Sequence, residues 1–254
     1  MSDSVLVDIT NGIMTITMNR PEARNAINGD TARGIAAALD QLDQDDSVRV
    51  GILTGAGGTF CSGMDLKGFL TGDLPSVEGK GFGGLTEALP KKPLIGAIEG
   101  YALAGGCEMA LSCDMLVAAE TSKFGIPEVK RGLVAAAGGL VRLPRQIPQK
   151  IAMELALTGD FMSAQRAADL GLVNRVVAEG TALDAAKELA ATINANGPLA
   201  VAMSKQVVLQ SADWSSSEMF AKQNDIAMPV FSSEDAIEGA AAFAEKRAPN
   251  WKGK

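Results

Sequence analysis

The sequence predicts an α/β protein, and three observations carry that reading. Short apolar or β-branched runs alternate with stretches of helical spacing. Hydrophobic residues make up 47% of the chain but aromatics only 4%. Ala, Val, Leu, Ile and Met must therefore fill the core through close helix and strand contacts, which suits an α/β or helix-rich enzyme better than an all-β sandwich. From Leu183 onward the chain is alanine-rich with no strand pattern, which adds a helical subdomain. At 254 residues the length allows one core with a helical appendage or two domains.

Val5 to Ile9 and Ile13 to Met18 read as strands joined through Thr10-Asn11-Gly12, a hairpin signal. Pro21 ends the second strand. Asn28 or Asp30 caps a helix that runs through Ile35, Leu39 and Leu42 and closes at the acidic stretch 44–47. Val48 to Thr54 reads as a buried strand followed at once by a glycine-containing turn, and Leu94 to Glu99 repeats that layout ahead of GYALAGGCE. Between them, residues 68–93 hold Gly72, Gly79, Gly81, Gly83 and Gly84; this mobile segment either closes over a ligand or is an uninvolved surface loop. Asp114 to Ala119 is the next strand, and Pro127 keeps residues 124–128 extended. A short helix ends near Pro144, a second spans Gln149 to Thr158, and Ser163 caps a third through Ala168. Gly171 stops it before a strand from Leu172 to Val177. The last helices break at Gly197-Pro198, around Asp213-Trp214 and at Pro229, and Ser232 or Ser233 caps the closing one.

The formal net charge of -7 argues against a broad basic surface for nucleic acid or anionic lipid, so an anionic ligand must be met by local positive charge. There is no histidine. That removes Ser-His-Asp and Cys-His catalysis, histidine-ligated metals and imidazole chemistry, and leaves proton transfer to carboxylates, Lys, Tyr or Cys. Cys61, Cys107 and Cys113 sit in glycine-rich or apolar contexts with one left over, as reduced buried thiols in a cytosolic protein. No apolar segment reaches ~18 residues, and the first ten residues lack the basic-then-apolar order of a signal peptide. A soluble, cytoplasmic protein with no membrane partner is expected.

Two strand ends each deliver a glycine-containing turn into a helix, at Ser62-Gly63-Met64-Asp65 and at Ala104-Gly105-Gly106-Cys107. If the strands are neighbours, free N–H groups of the two helix starts meet at one spot and hold a carbonyl oxygen that becomes negative during reaction. Taken alone, each turn is also readable as a plain strand-to-helix connection. Glu108 follows one turn into the second helix between apolar Cys107 and Met109, where an unpaired acid calls for a purpose. Glu128 follows after one strand and a return. Two acids near one carbonyl have pKa values pushed apart, so that one acts as base while the other holds a proton. A solvent-facing Glu108 and a loop Glu128 are the alternatives that need no function. Gly55-Ala56-Gly57-Gly58 follows a strand, but Phe60 occupies the last glycine position of a dinucleotide fingerprint, and no P-loop is present.

The segments NRPEARNAIN, TFCSGMDLKGF, GYALAGGCEMALSCD, FGIPEVKRGLVAAAGG and AIEGAAAFAEKR, in that order over nearly the whole length, resemble the crotonase, or enoyl-CoA hydratase/isomerase, superfamily. The resemblance implies a spiral of ββα units over residues 1–190 and a C-terminal helical region over 191–254 used in trimerisation, often as a dimer of trimers. It implies an acyl-CoA thioester as substrate, no metal, and no cofactor beyond that coenzyme A. The implied reaction adds water across the C2=C3 bond of a 2-enoyl-CoA to give a 3-hydroxyacyl-CoA. By the same resemblance the amides of Met64 and Gly105 form an oxyanion hole for the thioester enolate. Glu108 and Glu128 hold a water, take its proton as it adds to C3 and deliver a proton to C2. Ala23 and Arg24 line the nucleotide side, Lys67 contacts coenzyme A, and Ser62, Gly63, Asp65 and Leu66 bind substrate around Met64. Ala136 and Ala137 fall beside the reacting water, while Phe243 and Lys246 reach the coenzyme A of a neighbouring subunit.

Two departures from the family pattern stand out. Met64 replaces a smaller residue, which narrows the acyl pocket, and Ala135-Ala136-Ala137 stands where many hydratases carry Pro-Gly-Ala, which bears on substrate choice. RLPRQIP and the tail from Ser232 also resemble carnitinyl-CoA dehydratases, which keep both acids. Carnitinyl-CoA dehydration is therefore the alternative, with another lyase or isomerase of the family, or a non-catalytic acyl-CoA-binding protein, behind it.

Overall fold

Apolar runs separated by helices fold here into a parallel sheet buried on both faces. The computed structural model describes residues 3–254; Met1 and Ser2, which open the stretch read for a signal peptide, lie outside the described residues. β1 (Val5–Thr10) and β2 (Ile13–Met18) form an antiparallel hairpin, followed by α1 (Gly29–Gln44), whose first turn is capped by Asn28. After β3 (Val50–Gly55) come α2 (Leu66–Leu70), the small hairpin β4 (Ser76–Val77) and β5 (Gly81–Phe82), then β6 (Leu94–Ile98) and β7 (Tyr101–Leu103). The chain continues through α3 (Gly105–Ala110), β8 (Met115–Ala119), β9 (Lys123–Gly125), α4 (Gly139–Gln146) and α5 (Gln149–Thr158). β10 (Met162–Ser163), α6 (Ala164–Asp169) and β11 (Arg175–Val177) complete the core. α7 (Ala182–Asn194), α8 (Pro198–Ser211), α9 (Met219–Phe231) and α10 (Glu234–Glu245) follow.

Among the described residues the larger sheet has the order β1-β2-β3-β6-β8-β11 and is parallel except for its first pair. A parallel sheet needs cover on both faces. Val50, Ile52, Ile95, Ala97 and Val117 pack against Ala186 and Ala190 of α7. Met14, Ile16, Leu53, Ile98 and Ala118 belong instead to the main core with Ile35, Leu39 and Leu42 of α1. Burial on both sides is why β3, β6 and β8 read as continuous apolar runs rather than alternating ones. A second sheet, β10-β9-β7, is extended by Cys61, which bridges Ala102. The chain passes from the first sheet to the second, β6 to β7 before α3 and β8 to β9 before α4, which is the spiral of ββα units that the resemblance implied.

Some boundaries differ from the sequence expectations. Pro144 and Pro229 do not end their helices; both lie inside, in α4 and α9. The carbonyls four residues back, which lose the proline N–H as helical donor, belong to exposed Leu140 and Asp225, at positions where solvent can take the donor's place. The strand expected over 172–177 is confined to β11, because the N–H groups of Leu172 and Val173 both donate to the Ala167 carbonyl and close α6 instead. The glycine-rich segment 68–93 is not an uninvolved loop: it forms the β4–β5 hairpin, with Gly84 against α1 and Phe82 in a cavity wall.

Candidate active site

The site forms where strands of the second sheet hand over to helices. Cys61 lies in the bridge to β7, and Gly63 turns the chain away from it at φ 104°, a conformation that favours glycine. The Gly63 carbonyl accepts from the Ile27 N–H and the Asp65 N–H donates to the Ile27 carbonyl, each at 2.8 Å. In such a parallel bridge the residue between, Met64, has its own N–H turned away from the partner strand. On the second turn, Ala104 is held at φ 52°, ψ −129°, which costs on the order of 1–3 kcal/mol in a non-glycine residue. That strain aims the first amide of α3, Gly105, away from the helix. A Cβ added to Gly63 would stand 3.3 Å from the Gly105 nitrogen, so the two turns abut. Neither the Met64 nor the Gly105 N–H has an acceptor among the described residues, and both residues line one cavity of about 980 Å³.

Glu108 and Glu128 line the same cavity. Glu108 is 3% exposed, and its Oε1 accepts from the Gly139 N–H at the start of α4, at 2.9 Å. Burial, opposed by that hydrogen bond and reinforced by the charge of Glu128, pushes its pKa up to about 7. Glu128, in the 3-10 turn over 127–131, is raised as well, mainly by burial. Its Oε2 is buried with no hydrogen-bond partner among the described residues, an acceptor left open toward whatever fills the cavity.

Ala23, Arg24, Ser62, Asp65, Leu66, Lys67, Ala136 and Ala137 also line this cavity. The Asp65 carboxylate is engaged within the chain: it pairs with Arg20 at 2.9 Å and accepts from the N–H groups of Lys67 and Gly68. The Arg20 bond, first among its neighbours, holds that carboxyl below the usual range. Gly63 shapes the turn without lining the cavity. Phe243 and Lys246, at the end of α10, are exposed and outside the cavity of their own chain. Residues the sequence did not point to include Phe82, whose ring would collide with any Cβ on Gly105, and Arg20, Tyr101, Val134 and Phe161 in the walls. Phe82 sits in a glycine-rich stretch with no period, so no local signal marks it. Among the described residues no group of three or more His, Cys, Asp or Glu side chains is placed to hold a metal ion, and no helix is long and apolar enough to cross a membrane.

A ββα spiral here sets two unpaired amides, the buried Glu108 and the half-buried Glu128 around one cavity, an arrangement able to hold an oxyanion and to move protons. The family model for enoyl-CoA hydratase/isomerase matches residues 8–254, and the chain belongs to that family of enzymes. It is 45% identical to enoyl-CoA hydratase EchA19 of Mycobacterium tuberculosis over 97% of this chain and 95% of that one. It is 40% identical to a carnitinyl-CoA dehydratase of Proteus mirabilis over the whole of both. The fold matches the crystal structure of an enoyl-CoA hydratase from Mycobacterium tuberculosis with TM-score 0.98 and 58% identity, each chain fully covered.

Proposed function

We propose that the protein adds water across the C2=C3 bond of a 2-enoyl-CoA thioester to give the 3-hydroxyacyl-CoA. The observation that carries this is that buried Glu108 and half-buried Glu128 line the same cavity as two amides without acceptors among the described residues. The thioester oxygen accepts from the Met64 and Gly105 N–H groups, which strengthen their hold as it becomes an enolate oxygen; loss of one such donor typically costs roughly 10²–10³ in rate. One carboxylate takes a proton from water as its oxygen bonds to C3. The other acid delivers a proton to C2 as the enolate collapses. Atoms balance with water as the sole co-reactant. Burial raises the pKa of both acids, that of Glu108 to about 7, which favours proton exchange near neutrality.

Arg24 and Lys67, exposed at the cavity, supply positive charge for the phosphates of coenzyme A that the acidic average of the chain lacks. Residues 1–190 act as the catalytic core and 191–254 as an assembly region. Every residue of α8 and α9 keeps some exposure, and Val208, Phe220, Met228 and Phe231 are exposed apolar side chains. Patches of this kind support contact with further copies in a homotrimer or dimer of trimers, in which Phe243 and Lys246 reach a neighbour's coenzyme A. A second reading, carnitinyl-CoA dehydration, is favoured by the full-length similarity to the Proteus mirabilis protein. A panel of thioesters separates them. Hydration of crotonyl-CoA, seen as loss of the 2-enoyl thioester absorbance, with no turnover of carnitinyl-CoA supports the first; the opposite result replaces it with the second.

A further inference from the structure

Glu108 meets α4 at a pair of glycines. The Gly139 N–H donates to its Oε1 at 2.9 Å, and a Cβ on Gly139 would stand 3.1 Å from that oxygen. On the adjoining residue a Cβ would collide with Nη1 of Arg142. The other terminal nitrogen of Arg142 donates to the Thr86 carbonyl at 2.6 Å, and Thr86 is itself buried. The guanidinium is thus half-buried, anchored, and set directly behind the glycine turn that touches Glu108.

We propose that Arg142 is a positioning residue: a fixed positive charge behind the Gly138-Gly139 turn that keeps Glu108 able to release its proton near neutral pH. The proposal rests on Glu108 being one of the two acids that exchange protons with substrate and water. Two acids in one cavity drive each other toward the neutral form, and burial does the same. A guanidinium stays charged under all working conditions, and in a water-poor setting its field reaches across the glycine turn. The groups facing Glu108 are few. Glu128 approaches from the turn 127–131 and Arg142 from α4, while Tyr101 of β7 and exposed Arg131 share the cavity. The thiols of Cys61 and Cys107, pushed up to about 12 by burial, stay neutral. Glu87, exposed beyond the β4–β5 hairpin, faces Arg142 and offsets part of its charge.

The test uses the full chain with Arg142→Gln, which keeps an amide donor for the Thr86 carbonyl without the charge, and Arg142→Lys, which keeps the charge. Carbon-13 NMR titration of glutamate carboxyls, with the Glu108 signal assigned by its loss in Glu108→Gln, reads proton affinity without any turnover. The Glu108 midpoint is expected to rise in Arg142→Gln and to rise by less in Arg142→Lys. The low-pH limb of kcat/KM for crotonyl-CoA should move the same way. An unchanged midpoint in folded Arg142→Gln overturns the proposal. Should that variant not fold, Glu87→Gln decides: a fall in the Glu108 midpoint supports the proposal and no fall overturns it. A shifted midpoint in a protein that hydrates no enoyl thioester supports the role of Arg142 while rejecting the hydratase reading, so the two failures are told apart.

Discussion

Glu108 shows how one side chain joins stability to function. Its carboxyl moves from the usual 4.5 up to about 7 on folding, first because it is buried. The folded chain therefore holds that proton more tightly than the unfolded chain does. The stability this contributes is fully present below about pH 4.5 and is lost as pH rises through about 7. Glu108→Gln stays neutral and still accepts from the Gly139 N–H, so it should be more stable than the wild type at pH 8. At 1.36 kcal/mol per pH unit the gap is on the order of 3 kcal/mol, and it should close toward pH 4.5. Urea denaturation at the two pH values checks this; a gap that does not change with pH contradicts it. The kind of residue at 108 was legible in the sequence because an acid among apolar neighbours is costly without a role. The strain at Ala104 was not, since nothing in the residue type announces a positive φ.

At the scale of elements, α3 sets the position of the Gly105 amide, one of the two proposed to hold the oxyanion. All six of its residues are buried, and Gly106 lies so close to the Cys61 backbone that an added Cβ would collide with the Cys61 carbonyl oxygen. Gly106→Ala must push α3 off the second sheet, at about 1–3 kcal/mol, and carry the Gly105 amide with it. The expected outcome is a lower melting temperature together with a fall in kcat for crotonyl-CoA, up to roughly 10²-fold for a misplacement near 1 Å; full stability and full rate would contradict it. The longer elements were legible because α1 and α5 repeat apolar residues at helical spacing and β3, β6 and β8 are unbroken apolar runs. The second sheet was not. β7, β9 and β10 are two or three residues long, too short for a period to show.

For the whole molecule, the consequential feature is the contrast between a sheet covered on both faces and helices α8 and α9, whose apolar side chains have incomplete cover. Such a surface supports the proposed contact with further copies of the chain. Light scattering at micromolar concentration should give three or six times the chain mass of 26.2 kDa; a stable monomer would contradict the assembly. The spiral itself was legible only through the resemblance, because the pairing of β3 with β6 and of β6 with β8 joins segments far apart in sequence, and local patterns do not encode neighbours.

If Glu108 and Glu128 both move protons across one cavity, neither can be spared. Steady-state hydration of crotonyl-CoA by the wild type, Glu108→Gln and Glu128→Gln, with retained thioester binding as the check on folding, measures this most directly. Each variant should be slower in kcat by roughly 10²–10⁴ with KM little changed. Wild-type kcat in either folded variant would contradict the account.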